Sequence, residues 1–233
     1  MVVSSSLTTL KAPQAKWRQH QESLITESIR LALREDLSTD GDLTSRATVP
    51  EHQIAEASIV LKEAPAVIAG LSVVQRVFHE LDPQVQVAPL IEDGRYIHAQ
   101  PIELARITGS ARSVLTGERL ALNLLQRMSG IATTTRKYVD KAKGTGIAIL
   151  DTRKTAPGLR VFDRLAVLAA GGTNHRFGLF DQILIKDNHV RLAGGIAPAI
   201  RAARNSFPGV CVEIETTTPD EVREAVEAGA DKI

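Results

Sequence analysis

Apolar positions in the first third of the chain recur at helical spacing. Over residues 22–34, Leu24, Ile25, Ile29, Leu31, Ala32 and Leu33 predict a helix. The polar, Gly-containing stretch 36–44 predicts a loop. From Ile54 to about Thr108 the pattern shortens into β-branched runs at 57–61, 66–69, 85–88 and 102–107, separated by Pro65, Gly70, Pro83, Pro89 and Gly94. A helix over 71–81 interrupts them. Short strands with one or two helices predict a small α+β sandwich. Residues 118–143 predict a long helix, in which Gly130 hints at close packing or a break.

Beyond Gly146 the pattern becomes regular. Strands are predicted at 146–150, 182–185 and 210–214, and helices at 159–170, 198–205 and 219–227. Residues 231–233 open a fourth strand. Strand alternating with helix predicts a parallel sheet with crossover helices, as a β/α barrel or an open doubly wound sheet. The domain expectation is a flexible tail over 1–21, an N-terminal α/β sandwich over 22–117 and a β/α domain over 118–233. Residues 1–21 hold Lys11, Lys16 and Arg18, many Ser and Thr, and no acid. A short tail explains this, and an organellar transit peptide is the alternative.

Composition narrows the function. The chain has 233 residues, with 28 Lys plus Arg against 27 Asp plus Glu, a net charge of +1. That balance argues against holding nucleic acid by overall charge, and 3% aromatic residues argue against stacking platforms for single strands. No apolar run is long enough to span a bilayer. Cys211 is the only cysteine, so neither an intrachain disulfide nor a Cys-based zinc site can form. A reducing, cytoplasmic setting is the natural expectation.

The candidate chemistry lies at predicted strand ends. The first runs into Asp151, Thr152, Arg153 and Lys154, the second into Lys186, Asp187, Asn188 and His189. The third carries Glu213 and Glu215 on one face by alternation. Asn174, His175 and Arg176 precede the second. Residues 151–191 hold seven Lys or Arg, four Asp and two His. A solvated face or internal ion pairs explain any one of these. Charge recurring at successive strand ends points to a pocket for a polyanionic small molecule, because unpaired charge near a core is costly. Arginine can grip a carboxylate or phosphate through two parallel hydrogen bonds. His175 and His189 lack the helical spacing of a zinc pair and read as hydrogen-bonding residues. Neither a P-loop nor a Rossmann glycine fingerprint is present. Two other readings stay open at this point: a Schiff-base lyase using Lys154 or Lys186, and a non-catalytic binder that keeps an acid-binding half-site.

Four strings carry a family resemblance: GERLALNLLQRMSGIAT (117–133), LDTRKTAPGLR (150–160), GGTNHRFGLFDQILIKDNH (171–189) and VEIET (212–216). They closely resemble the quinolinate phosphoribosyltransferase family, and EDLSTDGDLTS (35–45) and AVIAGL (66–71) agree. The resemblance implies an α/β sandwich domain followed by a β/α barrel with fewer than eight strands. It implies transfer of a phosphoribosyl group from phosphoribosyl pyrophosphate to quinolinate, with loss of carbon dioxide. It also implies Mg2+ bound mainly through phosphoribosyl pyrophosphate, and homodimers, often assembled further, that share active sites. Matched by motif, Arg119 is the quinolinate contact supplied across the dimer. Thr152, Arg153 and Lys154 are strand-end substrate contacts, His175 and Arg176 the loop pair, Lys186 the second strand-end lysine and Glu215 the carboxylate near the ribose. Lys154, Lys186 and Glu215 are the expected catalytic groups. The family continues past Ile233 with a further ligand-binding Asp and two phosphate-holding loops. The expectation is therefore a barrel truncated at its C-terminus, either a fragment of a longer protein or a chain inactive alone.

Overall fold

A computed structural model describes residues 12–233. Helix α1 (Ala12–Leu37) begins upstream of the predicted 22–34 helix, and the rest of the expected tail, residues 1–11, lies outside the described residues. The chain divides into two compact units, one running through Asn174 and the other His175–Ile233.

The first unit opens with α1 and the short α2 (Leu43–Thr48), which falls partly in the predicted loop. Asp42 caps α2, its carboxylate accepting from the Ser45 backbone at 2.9 Å and the Ser45 hydroxyl at 2.5 Å. Strands β1 (Ile54–Leu61), β5 (Ile102–Ser110) and β3 (Gln86–Pro89) form an antiparallel sheet with β5 central. β1 pairs with β5 from Ile54↔Ser110 to Leu61↔Ile102, with a register shift at Ile59/Val60. Strands β2 (Ala66–Val67) and β4 (Tyr96–Ile97) pair separately. β4, with two residues, is too short for alternation to reveal.

Helix α3 (Leu71–Leu81) matches its predicted span because Val73, Val74, Val77 and Phe78 form one buried face. Its N-terminus is satisfied from a distance: Asp93 accepts from the backbone of Gly70 and Leu71 at 2.7 and 2.9 Å. Helix α4 (Ala111–Ala142) starts seven residues earlier than the 118 predicted, and the expected boundary at 117/118 falls inside it. A side chain at Gly117 would meet the Phe78 ring at 2.6 Å, so its bare Cα lets α3 approach α4. Gly130 does not behave as expected. Nothing lies within 4 Å of where its Cβ would be, and the helix continues through it. Helix α5 (Arg160–Ala169) packs on α4, and Arg127 forks onto Asp163 at 2.7 and 2.9 Å.

The strand predicted at 146–150 is reduced to a single parallel bridge, Leu150↔Thr173. Ile147 and Leu150 are 67% and 52% exposed, so the apolar run lacks the cover that a longer buried strand needs.

The second unit alternates β6 (Ile183–Ile185), α6 (Asp187–Ala193), α7 (Ile196–Ser206), β7 (Val212–Ile214) and α8 (Pro219–Glu227). β6 and β7 are parallel, Leu184 opposite Glu213. Ile185, Ile200, Val212, Ile214 and Ala225 form its core. The Lys232↔Glu213 parallel bridge matches the strand predicted to open at 231. Thr218 and Glu221 cap α8 reciprocally, with Pro219 in its first turn.

Candidate functional site

The expected residues fall into two groups, one within each unit. In the first unit, the chain leaves the Leu150↔Thr173 bridge as the Asp151 backbone donates to Thr173 at 3.1 Å. The Asp151 carboxylate turns inward to Arg164 of α5 at 3.4 Å, with side chains only 7% and 5% exposed. The Asn174 amide, oriented with its nitrogen toward Asp151, donates to Oδ2 at 2.6 Å and to the Arg164 carbonyl at 3.2 Å. Asp151 is thus a buried anchor. It holds the stem of the loop that carries Thr152, Arg153 and Lys154.

Within that loop the Thr152 hydroxyl accepts from the Lys154 backbone at 3.2 Å. Thr152 and Lys154 are exposed. Arg153 is half-buried, and its Nε is buried with no hydrogen-bond partner among the described residues. Such a group costs about 1–3 kcal/mol and is relieved by an incoming acceptor. Arg119 is exposed on α4, inside the helix rather than at its start, and no hydrogen bond or ion pair joins it to residues 152–154.

In the second unit, Lys186 and Glu215 each stand one residue past the ends of β6 and β7, and Lys186 Nζ donates to Glu215 Oε1 at 2.7 Å. Parallel register produces the contact, since Ile185 pairs with Ile214. Both side chains are accessible, at 44% and 53%. The Schiff-base reading requires an unpaired amine in an apolar pocket, and neither lysine provides one. Lys186 is paired and Lys154 is exposed.

Arg176 is buried, at 7% exposure, and donates through Nη1 to the Gln182 carbonyl at 3.2 Å. Asp181 accepts from the backbones of Phe177 and Gly178 at 2.6 and 3.0 Å and ties the loop between them. The His175 Nε2 lies 2.7 Å from Glu213 Oε2. His189, read from the sequence as a hydrogen-bonding residue, stands on α6, and its Nδ1 accepts from the Lys186 backbone at 2.9 Å.

Sequence reasoning grouped Glu213 with Glu215. Alternation does put both on one face, but one is turned to His175 and the other to Lys186. Arg164 and Gln182 were missed. The signal for Arg164 was available, as a charge within the apolar stripe of Val161, Phe162 and Ala166.

This fold and these groups define an α/β protein that places polar and charged side chains at the carboxyl ends of parallel strands, where proteins of this class carry their chemistry. The chain belongs to the quinolinate phosphoribosyltransferase family. Residues 42–129 match the quinolinate phosphoribosyl transferase N-terminal domain, and residues 131–233 match the C-terminal domain. It is 44% identical over 207 residues to the chloroplastic nicotinate-nucleotide pyrophosphorylase [carboxylating] of Oryza sativa subsp. japonica, covering 87% of this chain and 55% of the relative. It is 39% identical over 230 residues to the mitochondrial quinolinate phosphoribosyltransferase [decarboxylating] 2 of Nicotiana glauca, covering 97% and 64%. The structure of the nicotinate-nucleotide pyrophosphorylase from Francisella tularensis superposes with a TM-score of 0.82 at 38% identity, over 90% of this chain and 73% of that one. The chain therefore spans 55% and 64% of the lengths of the two plant relatives.

Proposed function

We propose that this chain serves a phosphoribosyl transfer from phosphoribosyl pyrophosphate to quinolinate, with decarboxylation, that yields nicotinate mononucleotide, pyrophosphate and carbon dioxide. This is a step of de novo NAD synthesis. The observation that carries the reading is the accessible Lys186–Glu215 pair at the ends of β6 and β7, in a chain of this family.

Quinolinate presents two adjacent carboxylates and phosphoribosyl pyrophosphate several phosphate charges. Arg153, Lys154, Arg176 and Lys186 are the cations assigned to them, with Thr152 and His175 as further substrate contacts. An incoming carboxylate would satisfy the buried Arg153 Nε. As pyrophosphate departs with the bonding pair, the ribose carbon becomes oxocarbenium-like, and Glu215 is the carboxylate that stabilises it. Lys186 holds Glu215 in orientation. The quinolinate ring nitrogen then bonds to the ribose carbon. Carbon dioxide leaves from the neighbouring ring carbon, whose electron pair is stabilised by the cationic nitrogen and takes up a proton. Magnesium enters this proposal as the counter-ion of the pyrophosphate group.

The same reading makes the protein a homodimer in which Arg119 acts across the interface. It keeps the protein in the cytoplasm. Among the described residues no helix is long and apolar enough to cross a membrane. Two plant relatives carry chloroplastic and mitochondrial in their names, so a fluorescent fusion of residues 1–21 tests the location directly, organellar import being the contrary outcome. The deciding experiment for the activity is release of labelled carbon dioxide from carboxyl-labelled quinolinate by the full-length gene product. Release that requires phosphoribosyl pyrophosphate is expected, and its absence overturns the reading.

A further inference from the structure

We infer that Glu213 is a positioning residue that fixes the tautomer and ring orientation of His175, with Gln182 holding its carboxylate in place. The role given to His175 rests on the function proposed above; the geometry does not. Glu213 Oε2 lies 2.7 Å from His175 Nε2 and 2.5 Å from Gln182 Nε2. The side chains of His175 and Glu213 are only 17% and 21% exposed. A carboxylate in that setting is costly unless its lone pairs are used, and an ionised carboxylate only accepts. On this contact a neutral His175 carries its proton on Nε2, because the carboxylate can only accept.

Each member of the trio is held from behind. Glu213 lies mid-strand in β7, opposite Leu184 on one side and bridged to Lys232 on the other, so its backbone is fixed. Gln182 is delivered by a loop closed twice, by Asp181 on the Phe177 and Gly178 backbones and by Arg176 on the Gln182 carbonyl. The short lever from Gln182 to His175 through one carboxylate oxygen leaves the ring little freedom to rotate. Glu213 thus acts on any ligand of His175 through the ring.

The test is nitrogen-15 NMR of the histidine side chains at about pH 8, where an ordinary imidazole is neutral. The His175 resonance is assigned by its loss in His175→Gln. The native protein is expected to carry the His175 proton on Nε2. Glu213→Met, similar in length but without an acceptor, should give a mixture of tautomers and weaken quinolinate binding on the order of tenfold. Glu213→Gln keeps a carbonyl acceptor and should recover most of both properties. A native His175 protonated on Nδ1 alone overturns the inference, and that spectrum decides the matter even if the Met variant does not fold. An unchanged tautomer in a folded Glu213→Met protein overturns it equally. Failure of the native protein to bind quinolinate would instead count against the proposed function, because the tautomer measurement needs no ligand.

Discussion

Lys186 Nζ lies 2.7 Å from Glu215 Oε1, each residue one step beyond the end of its own parallel strand. With both partners about half exposed, the pair adds less than about 1 kcal/mol to stability. Stabilisation of a developing charge is worth more, a factor of about 10²–10³ in rate for one well-placed group. Glu215→Gln and Lys186→Met are therefore expected to lower turnover by that factor while the thermal midpoint stays nearly unchanged. Carbon dioxide release and thermal unfolding, run on the same samples, check this. A parallel fall in both would make the pair structural.

The two arginines should separate. Arg153 is half-buried and its Nε has no partner among the described residues, so Arg153→Ala relieves an unsatisfied group and, on the proposed function, removes a quinolinate contact. Quinolinate affinity should fall by about 2–5 kcal/mol with little change in folding. Arg176 is 7% exposed and bonds the Gln182 carbonyl, so Arg176→Ala should also lose about 1–3 kcal/mol of stability. Calorimetric titration beside urea unfolding distinguishes them.

Removing one partner of the buried Asp151–Arg164 pair leaves an uncompensated charge. Asp151→Ala is expected to cost about 3–5 kcal/mol in urea unfolding, more than truncation of any exposed loop residue beside it. Faster proteolysis between residues 151 and 160 should accompany it, because the anchored stem is lost. A neutral outcome would mean that Asn174 and the backbone alone hold the loop.

Asp42 links α2 to α4. Hydrogen bonds from the Ser45 hydroxyl, then the Ser45 backbone, hold its carboxyl below the usual range, and Thr116 on α4 donates at 3.0 Å. A depressed folded value means stability that is fully present above the unfolded value of about 3.9 and lost as pH falls through the folded one. Asp42→Ala should cost about 1 kcal/mol at pH 7, as loss of a helix cap does. The difference from the native chain should shrink below about pH 3. Denaturant unfolding at both pH values checks the sign.

Arg119 is exposed inside α4 with no bond to the Thr152–Lys154 loop. If it acts across a dimer, mixing Arg119→Ala with Lys154→Ala protein should restore part of the activity, because one site in a mixed dimer is intact. No recovery while the subunits exchange would return Arg119 to a surface role.

By itself the sequence determined the elements whose faces are buried. Val73, Val74, Val77 and Phe78 repeat at helical spacing because one side of α3 meets the core, and the 71–81 span was legible from them. The same holds for β6, β7 and α8, where short apolar runs end at Lys186 and Glu215, so that charged residues at the strand ends were legible while their pairing was not. Tertiary structure decided what local pattern does not encode. Residues 146–150 have a strand's composition, but pairing requires a neighbour, and only Leu150 finds one. Helices α2 and α6 are short and polar, held by the Asp42 carboxylate and the His189 ring rather than by an apolar stripe. Asp151 stands among the strand-end charges along the chain, yet its carboxylate is buried and paired with Arg164. Glu213 and Glu215 have the same residue type and face. Only their neighbours in space, His175 on one and Lys186 on the other, give them different work, because a side chain's partner is fixed by which strands and loops the fold brings beside it.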